Sequence, residues 1–257
     1  MRALLWLLLL PLSMASATEH WQQESYLANS FLTVALKREY QPGAMARLTR
    51  WEQPVRYFLI NESGDLPLQQ EVVRVQLEHL SRITGVPVQP VSARESANLV
   101  IVMTRQAEIP RWAQTLMGQG HQVSAALGDG LCLGQFKVGK RGALSRASVL
   151  IPTDRARDKG RFLDCVVEEI TQVMGLPNDS DQVFPSVFND HSIDSFLSPL
   201  DYLLLRILYA PELKSGMDVK AVQKALPAVL ARLRQEGEID AAPMRVQAGS
   251  LKQWAGM

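Results

Sequence analysis

The sequence predicts an α/β (α+β) domain in which strands and helices alternate along the chain. Residues 97–104 form a continuous apolar run, which is typical of a strand buried on both faces of a sheet. Residues 68–84 carry apolar side chains at helical spacing and end before Gly85, which predicts an amphipathic helix. The stretch from Arg161 to Gly175, called the motif helix below, is predicted to be another helix that ends at Gly175. Together these patterns indicate a sheet covered by helices.

The remaining elements up to the motif helix follow the same rules of periodicity. Helices are predicted at residues 20–40, 68–84 and, for the motif helix, from Arg161 onward, and residues 109–116 are predicted to be a short helix or a segment that covers the sheet edge. Strands are predicted at residues 55–60, 86–91, 97–104 and 146–152, with a twisted hairpin around 131–136. Residues 154–160 are predicted to form a charged loop. His79 has no potential ligand at i±4 and is expected on the surface or side of its helix.

The carboxy-terminal part is predicted to be helical at first and loose at its end. Residues 196–209 contain Ser198 as a suitable N-cap and Asp201 at the third helical position. Residues 218–237 form a further amphipathic pattern, and residues 241–257 are predicted to be a loose tail. The predicted organisation is therefore a signal peptide at 1–17, an amino-terminal helix at 18–45, a main domain at 46–217 and a helical extension with a tail at 218–257.

The first residues predict export from the cytoplasm. A basic start at Arg2, an apolar run over residues 3–12 and the A-x-A sequence Ala15–Ala17 are typical of a secretory signal peptide. The apolar run is shorter than the roughly 20 residues that a membrane-spanning helix needs. Cleavage near Ala17 and a periplasmic or secreted mature chain are expected, with no membrane span. The 27 basic and 26 acidic residues become equal when Arg2 is removed, which argues against nucleic acid as a partner.

The chain contains two cysteines, Cys132 and Cys165. In an exported protein, two cysteines are most simply joined in one disulfide. Such a bond would tie the segment before the last predicted strand to the start of the motif helix. Two buried free thiols are the alternative that the sequence leaves open.

The motif helix and the residues after it concentrate polar groups. Glu168 and Gln172 are four residues apart, so they lie on the same helix face, and Glu169 stands next to the first of them. Gly175 permits the chain to turn, and Asn178 follows on the turned-back segment. Asn178 is expected to point towards the same face.

This layout resembles the extended zinc motif of the metzincin metallopeptidases, H-E-x-x-H-x-x-G-x-x-H, in particular that of the matrixin-like branch. Glu168 falls on the first His, Glu169 on the catalytic Glu and Gln172 on the second His. Gly175 falls on the turn Gly and Asn178 on the third ligand. The spacing is kept, but all three histidines are replaced. The resemblance implies a metzincin-like domain, with a mixed twisted sheet and an active-site-type helix, that lacks the usual zinc chemistry.

The resemblance extends beyond the motif helix. Residues 184–190 lie where metzincins place a Met-containing turn, with Val187 or Phe188 at the Met position, and residues 196–209 resemble the carboxy-terminal matrixin helix. The chain also carries the strings E-E-x-x-Q-x-x-G-L-x-N-D, S-x-F-N-D, L-S-P-x-D and L-Y-x-P-x-L-x-x-G-M. These strings are similar to an exported proteobacterial family known as domain of unknown function 2927, over roughly residues 48–217. The residues expected to support the site are Gly175, Asp179, Phe188, Asp201 and Tyr209.

Four interpretations of Glu168, Glu169, Gln172 and Asn178 are open. The first is structural, with polar side chains bonded inside the fold, since buried carboxylates need donors or a cation. The second is a degenerate site that keeps the edge strand along which metzincins hold a peptide. The third is a site for Ca²⁺, Mg²⁺ or Mn²⁺, which prefer oxygen ligands. The fourth is a peptidase that uses Glu169 as general base.

The sequence favours a non-catalytic, metallopeptidase-like protein that binds or scaffolds a protein or peptide partner in the cell envelope. No cofactor is expected, because zinc would lack its histidine ligands. The alternative is an active hydrolase with Glu169 as general base, so enzymatic activity stays open. His121 and His191 are isolated loop histidines, which are usually solvated and are not expected to be ligands.

Overall fold

The computed structural model describes residues 19–37, 46–118, 130–192 and 195–257. The predicted signal peptide, its cleavage near Ala17, and His121 lie outside these ranges. Within them, no helix is both long enough and apolar enough to cross a membrane.

A five-stranded, mostly parallel sheet organises the fold, which confirms the mixed α/β prediction. Its strands are β1 (Val55–Asn61), β2 (Val88–Pro90), β3 (Leu99–Thr104), β4 (Leu133–Val138) and β5 (Leu144–Pro152). Their order across the sheet is β2-β1-β3-β5-β4. β1 pairs in parallel with β2 and β3, and β3 pairs in parallel with β5. β4 pairs antiparallel with β5 and stands at the end of this order.

Helices cover both faces of the sheet. They are α1 (Glu24–Leu36), α2 (Leu66–Thr84), α3 (Ile109–Leu116), α4 (Thr153–Asp158), α5 (Phe162–Gln172), α6 (Pro199–Leu208), α7 (Val219–Gln235), α8 (Glu238–Gln247) and α9 (Leu251–Trp254). The motif helix is α5, and it contacts α2, β4 and β5. The large core on this face continues through α6 and α1. A smaller cluster on the other face joins Val102 and Leu150 to Ile109 and Trp112 of α3.

Residues 153–158 form helix α4, although the sequence predicts a charged loop. The segment is fixed to the end of β3, because Thr153 Oγ1 donates to the Thr104 carbonyl at 3.1 Å. Asp154 Oδ1 accepts a hydrogen bond from the Gln106 backbone N–H at 2.8 Å. Ala156 is completely buried. These contacts with distant residues stabilise a turn of helix that the local charges do not reveal.

The predicted loose tail is instead helical and packed. Ile239, Ala242, Val246 and Leu251 are buried along α8 and α9, and α8 contacts α6. Tyr202 of α6 donates its hydroxyl hydrogen bond to a buried carboxylate at the start of α8, that of Glu238. The same hydrophobic cluster contains residues of α1 and of the main sheet. The amino-terminal helix and the carboxy-terminal helices therefore share one core with the sheet.

His79 lies inside the protein, which corrects the expectation that it is on a surface or helix side. Only 1% of its surface is exposed. Burial and, to a smaller extent, the charge of Arg82 lower the pKa of the imidazole to about 4, although the hydrogen bond to the Val246 backbone in α8 acts in the opposite direction. His79 is therefore neutral at physiological pH, and its protonation opposes folding.

Candidate functional site

The motif helix is tied to the sheet at its start. Cys165, in its first turn, forms a disulfide with Cys132, with the two Cα atoms 5.8 Å apart. Cys132 directly precedes β4, so the bond joins the motif helix to the outer strand of the sheet. The predicted disulfide is confirmed, and with it the prediction that the two segments lie side by side.

The motif helix ends at Gln172 and is followed by a tight turn at Gly175. Gly175 has a φ of 120°, which favours glycine. A Cβ atom at this position would overlap the Thr49 carbonyl oxygen. Tyr209 supports the same turn, since its hydroxyl donates to the Met174 carbonyl at 2.8 Å and accepts from the Trp51 backbone N–H at 3.2 Å. Burial raises the pKa of Tyr209, so this hydroxyl keeps its proton.

Glu169, which matches the catalytic Glu of the resembled motif, is buried under β4. Only 7% of its surface is exposed. Gly134 of β4 lies so close that a Cβ atom there would be 2.7 Å from Glu169 Oε2 and 3.3 Å from the Glu169 backbone oxygen. Glu169 thus lies between the motif helix and the outer strand of the sheet, away from the groups that gather around Glu168.

Asp179, rather than Asn178, is the residue after the turn that contacts Gln172. Gln172 Nε2 donates to the two carboxylate oxygens of Asp179 at 2.9 and 3.0 Å. The buried Asn178 instead fixes the chain: its side chain donates to the Asp179 backbone oxygen at 2.9 Å, and its own N–H donates to the Val34 carbonyl of α1 at 3.2 Å. Asn178 therefore holds Asp179 in place and leaves the carboxylate facing the motif helix.

Three carboxylates meet next to the motif helix. Glu168, Asp179 and Asp190 each contribute one oxygen atom to a group in which all atoms lie within 4.8 Å of one another. Burial raises the pKa of Glu168 well above its ordinary value, and the charges of Asp179 and Asp190 raise it further. The positive charge of Arg161, which is also ion-paired with Asp164, opposes this effect. Asp190 belongs to a separate loop, and the motif gives no signal for it.

The loop that carries Asp190 is supported by α6. Asp201, completely buried, accepts hydrogen bonds from Ser186 Oγ at 2.6 Å, from the Val187 N–H at 3.1 Å and from the Ser198 N–H at 2.8 Å. Burial outweighs these bonds and raises the pKa of Asp201 to about 6. Val187 and Phe188, the two alternatives predicted for the Met position, are both buried next to this network, Phe188 completely.

The motif positions do not fit the zinc ion that the metzincin resemblance implies. Glu168, Gln172 and Asn178 offer carboxylate and amide oxygens, whereas zinc sites in peptidases are built mainly from imidazoles. His191 is the nearest described histidine in sequence, but its side chain is 78% exposed and its Nε2 lies 3.5 Å from Asp181. The donor set instead suits a harder cation.

A second feature lies on the sheet face opposite the motif helix. A cleft of about 400 Å³ opens between β3, β4, β5 and the end of α3. Gln135 and Lys137 of β4 line it opposite Ser148 and Arg146 of β5, with which they are in register. Arg94 and Glu95 close one side, with an ion-pair distance of 3.9 Å. This cleft was not predicted from the sequence, although polar residues at alternate positions of both strands were a signal for it.

The outer strand β4 is a basic edge. Among the residues that the structure describes, β4 pairs with β5 and with no other strand. Its hairpin, residues 131–152, contains Lys137, Lys140, Arg141 and Arg146 and no Asp or Glu. All four side chains are exposed. A chain of net charge +1 thus carries a local excess of positive charge at the edge of its sheet.

Comparison with known proteins gives a family without an assigned activity. A family model described as "Protein of unknown function (DUF2927)" matches residues 24–228. The match includes the sheet, the motif helix and the three carboxylates. No curated protein matches the chain.

Proposed function

We propose that this chain, which belongs to the DUF2927 family of proteins of unknown function, is a non-catalytic binding module for an extended, acidic segment of a partner protein. The segment would lie along the outer edge of β4. The observation that carries the proposal is the basic edge strand, which pairs on one side with β5 and, within the described ranges, has no strand on its other side.

An edge strand offers main-chain N–H and C=O groups that an extended peptide can use to join the sheet. β4 is six residues long, and its residues are half-exposed to exposed along its length. The disulfide at Cys132 and the contact of Gly134 with Glu169 fix the strand to the motif helix. A fixed edge binds a peptide with a smaller loss of conformational entropy than a mobile one.

The positive charge of the β4 hairpin determines which kind of peptide segment it would bind. Lys137 and Arg146 face the cleft beside the edge, and Lys140 and Arg141 occupy the hairpin turn. In the part of the chain that the structure covers, none of these four forms an ion pair. An acidic peptide would gain complementary contacts along this edge, and a basic peptide would be repelled.

The burial of Glu169 supports a binding role over hydrolysis, because a general base must reach a water molecule or a substrate. The metzincin-like build, export and a place in the cell envelope belong to the same proposal. The antiparallel edge strand that packs on the motif helix supports the metzincin-like build. Hydrolysis with Glu169 as general base stays a prediction; peptide cleavage by the purified protein that is lost in Glu169→Gln would establish it.

The proposal is tested with short random peptides displayed on phage and selected against the purified protein. We expect enrichment of extended peptides rich in Asp and Glu. Hydrogen exchange measured by mass spectrometry should slow in Leu133–Val138 when a selected peptide is added. Lys137→Glu should weaken binding by roughly tenfold, because reversal of an exposed charge next to a bound charge costs about 1 kcal/mol or more.

Lys224→Glu on α7 is the matched control, since Lys224 is exposed and lies outside the β4 hairpin. This variant should bind the peptides as the unchanged protein does. Enrichment of peptides without acidic residues, protection of another surface, or equal weakening by Lys137→Glu and Lys224→Glu would contradict the proposal.

A further inference from the structure

The three carboxylates beside the motif helix come from three separate parts of the chain. Glu168 belongs to the motif helix, Asp179 follows the Gly175 turn, and Asp190 lies on the loop supported by α6. One oxygen of each lies within 4.8 Å of the others. Like charges at this distance repel one another, so the fold brings them together at an energetic cost that a cation would offset.

Neutral hydrogen bonds hold this arrangement in place. Gln172 donates to Asp179 from the motif helix, one turn after Glu168. The Ser180 N–H donates to the Phe188 carbonyl at 2.8 Å, which joins the segment of Asp179 to the segment of Asp190. Asn189 closes the loop, because its side chain donates to the Val183 carbonyl at 3.1 Å and accepts from the His191 N–H at 2.9 Å. Hydrogen bonds from uncharged groups thus help to join the segments that carry the three carboxylates.

The Glu168 carboxylate gives a second, independent indication of a ligand. It is largely enclosed by protein and lines a small pocket together with Asn189, Asp190 and Ser192. Within the described parts of the chain, it accepts no hydrogen bond. An enclosed carboxylate normally accepts several hydrogen bonds or contacts a cation. The nearby guanidinium of Arg161 is bound to Asp164.

We propose that Glu168, Asp179 and Asp190 form a binding site for a single divalent cation of the hard, oxygen-binding class, with Ca²⁺ as the preferred ion. The bound ion joins the motif helix to the two loop segments. The exposed side of Asp190 leaves room for water molecules to complete its coordination.

The chemistry of the site favours Ca²⁺ over its competitors. Ca²⁺ accepts six to eight oxygen ligands in irregular geometry, whereas Mg²⁺ requires a near-ideal octahedron and Zn²⁺ prefers nitrogen and sulfur. The three carboxylates, one on a helix and two on loops, supply negative charge but do not form a regular octahedron of ligands. Of the three ligands, only Glu168 occupies a position of the resembled zinc motif, so this is a different ligand set. This cation site is also separate from the outer edge of β4, where the peptide is proposed to bind, because β4 contributes no ligand to it.

The test uses the full-length mature protein after treatment with a chelator and removal of the chelator. Calorimetric titration with CaCl₂ should give one ion per chain, with a dissociation constant in the range of about 10⁻⁴–10⁻³ M. The thermal unfolding midpoint should rise with CaCl₂ concentration, because the ion binds the folded state. Glu168→Gln and Asp190→Asn should each weaken binding at least tenfold and remove most of the rise in midpoint.

Asp158→Asn is the matched control, since Asp158 is an exposed acidic residue at the end of α4, outside the cluster. It should bind Ca²⁺ as the unchanged protein does. Circular dichroism of Glu168→Gln confirms that loss of binding is not loss of fold; a misfolded Glu168→Gln is replaced by Asp190→Asn, whose side chain is exposed. Absence of heat and of a midpoint shift at millimolar Ca²⁺ would overturn the site. Equal binding by all variants, or tighter binding of Mg²⁺ or Mn²⁺, would overturn the ligand set or the preference for Ca²⁺.

Discussion

His79 is expected to make the folded protein lose stability as the pH falls below about 6. Its pKa is about 4 in the folded protein and near 6.5 in an unfolded chain. The unfolded chain therefore binds a proton at a higher pH, so the stability present above pH 6.5 is lost as the pH falls towards 4. From these two pKa values, the loss is about 2 kcal/mol at pH 5 and about 3 kcal/mol at pH 4.

Urea unfolding at pH 7.5 and at pH 5, followed by circular dichroism, measures this effect. His79→Asn keeps an N–H group for the Val246 backbone but does not titrate. We expect the variant to be less stable at pH 7.5 and to lose about 2 kcal/mol less than the unchanged protein between the two pH values. Comparison of the two proteins cancels other titrating groups such as Asp201, whose raised pKa of about 6 acts in the opposite direction.

His20→Asn is the control, because His20 is exposed. Its pH dependence should equal that of the unchanged protein. The argument that burial holds His79 neutral would be refuted if His79→Asn and the unchanged protein lost the same free energy of unfolding between pH 7.5 and pH 5.

Two further predictions concern the turn and the disulfide. Gly175→Ala should destabilise the fold by about 3 kcal/mol or more, because the new Cβ atom would overlap the Thr49 carbonyl; Gly64→Ala, which also has a positive φ but open space around it, should cost only about 1 kcal/mol. Thermal unfolding of both variants checks this, and equal losses would refute the role of the Thr49 contact. Removal of the disulfide by Cys132→Ser with Cys165→Ser should lower the free energy of unfolding by about 3 to 4 kcal/mol, given the separation of 33 residues. Urea unfolding checks this, and unchanged stability would refute it.

The sequence predicted most strands and helices because their signals are local. Residues 109–116, predicted as a short helix or an edge-covering segment, form the helix α3, and the predicted strand from Val55 matches the start of β1. In both cases, residues that favour turns, such as Pro54 and Gly118, stand close to the segment and mark where it begins or ends. Ser198 is the N-cap of α6, as predicted, and it forms a capping box with Asp201, which depends only on residues within one helical turn.

The same local reasoning failed where distant contacts decide the structure. The tail contains Ile239, Ala242 and Val246 at helical spacing, which was a usable signal, but Pro243 interrupts it. Pro243 is tolerated because α8 packs against α6, which stabilises the helix from outside. His79 was expected at a surface for a similar reason, since nothing in α2 itself reveals that α8 and α9 cover it.

The sequence motif predicted the positions of some residues of the candidate site but not of others. The motif predicted the positions of Glu168 and Gln172, because residues four apart on a helix share a face. It did not predict that Asp179 would replace Asn178 beside Gln172, since this depends on the Asn178 hydrogen bond to α1. Asp190 could not be inferred at all, because its place follows from the buried network around Asp201.

The packing of α8 against α6 has a consequence for work on shorter versions of this protein. The family match ends at residue 228, within α7 (Val219–Gln235). A truncation at residue 228 would divide α7. It would remove Glu238, whose carboxylate accepts the hydrogen bond of the Tyr202 hydroxyl. It would also expose the leucines of α6 that now lie beneath α8 to solvent. The smallest stable unit is therefore longer than the region shared by the family, and an expression boundary belongs after α9.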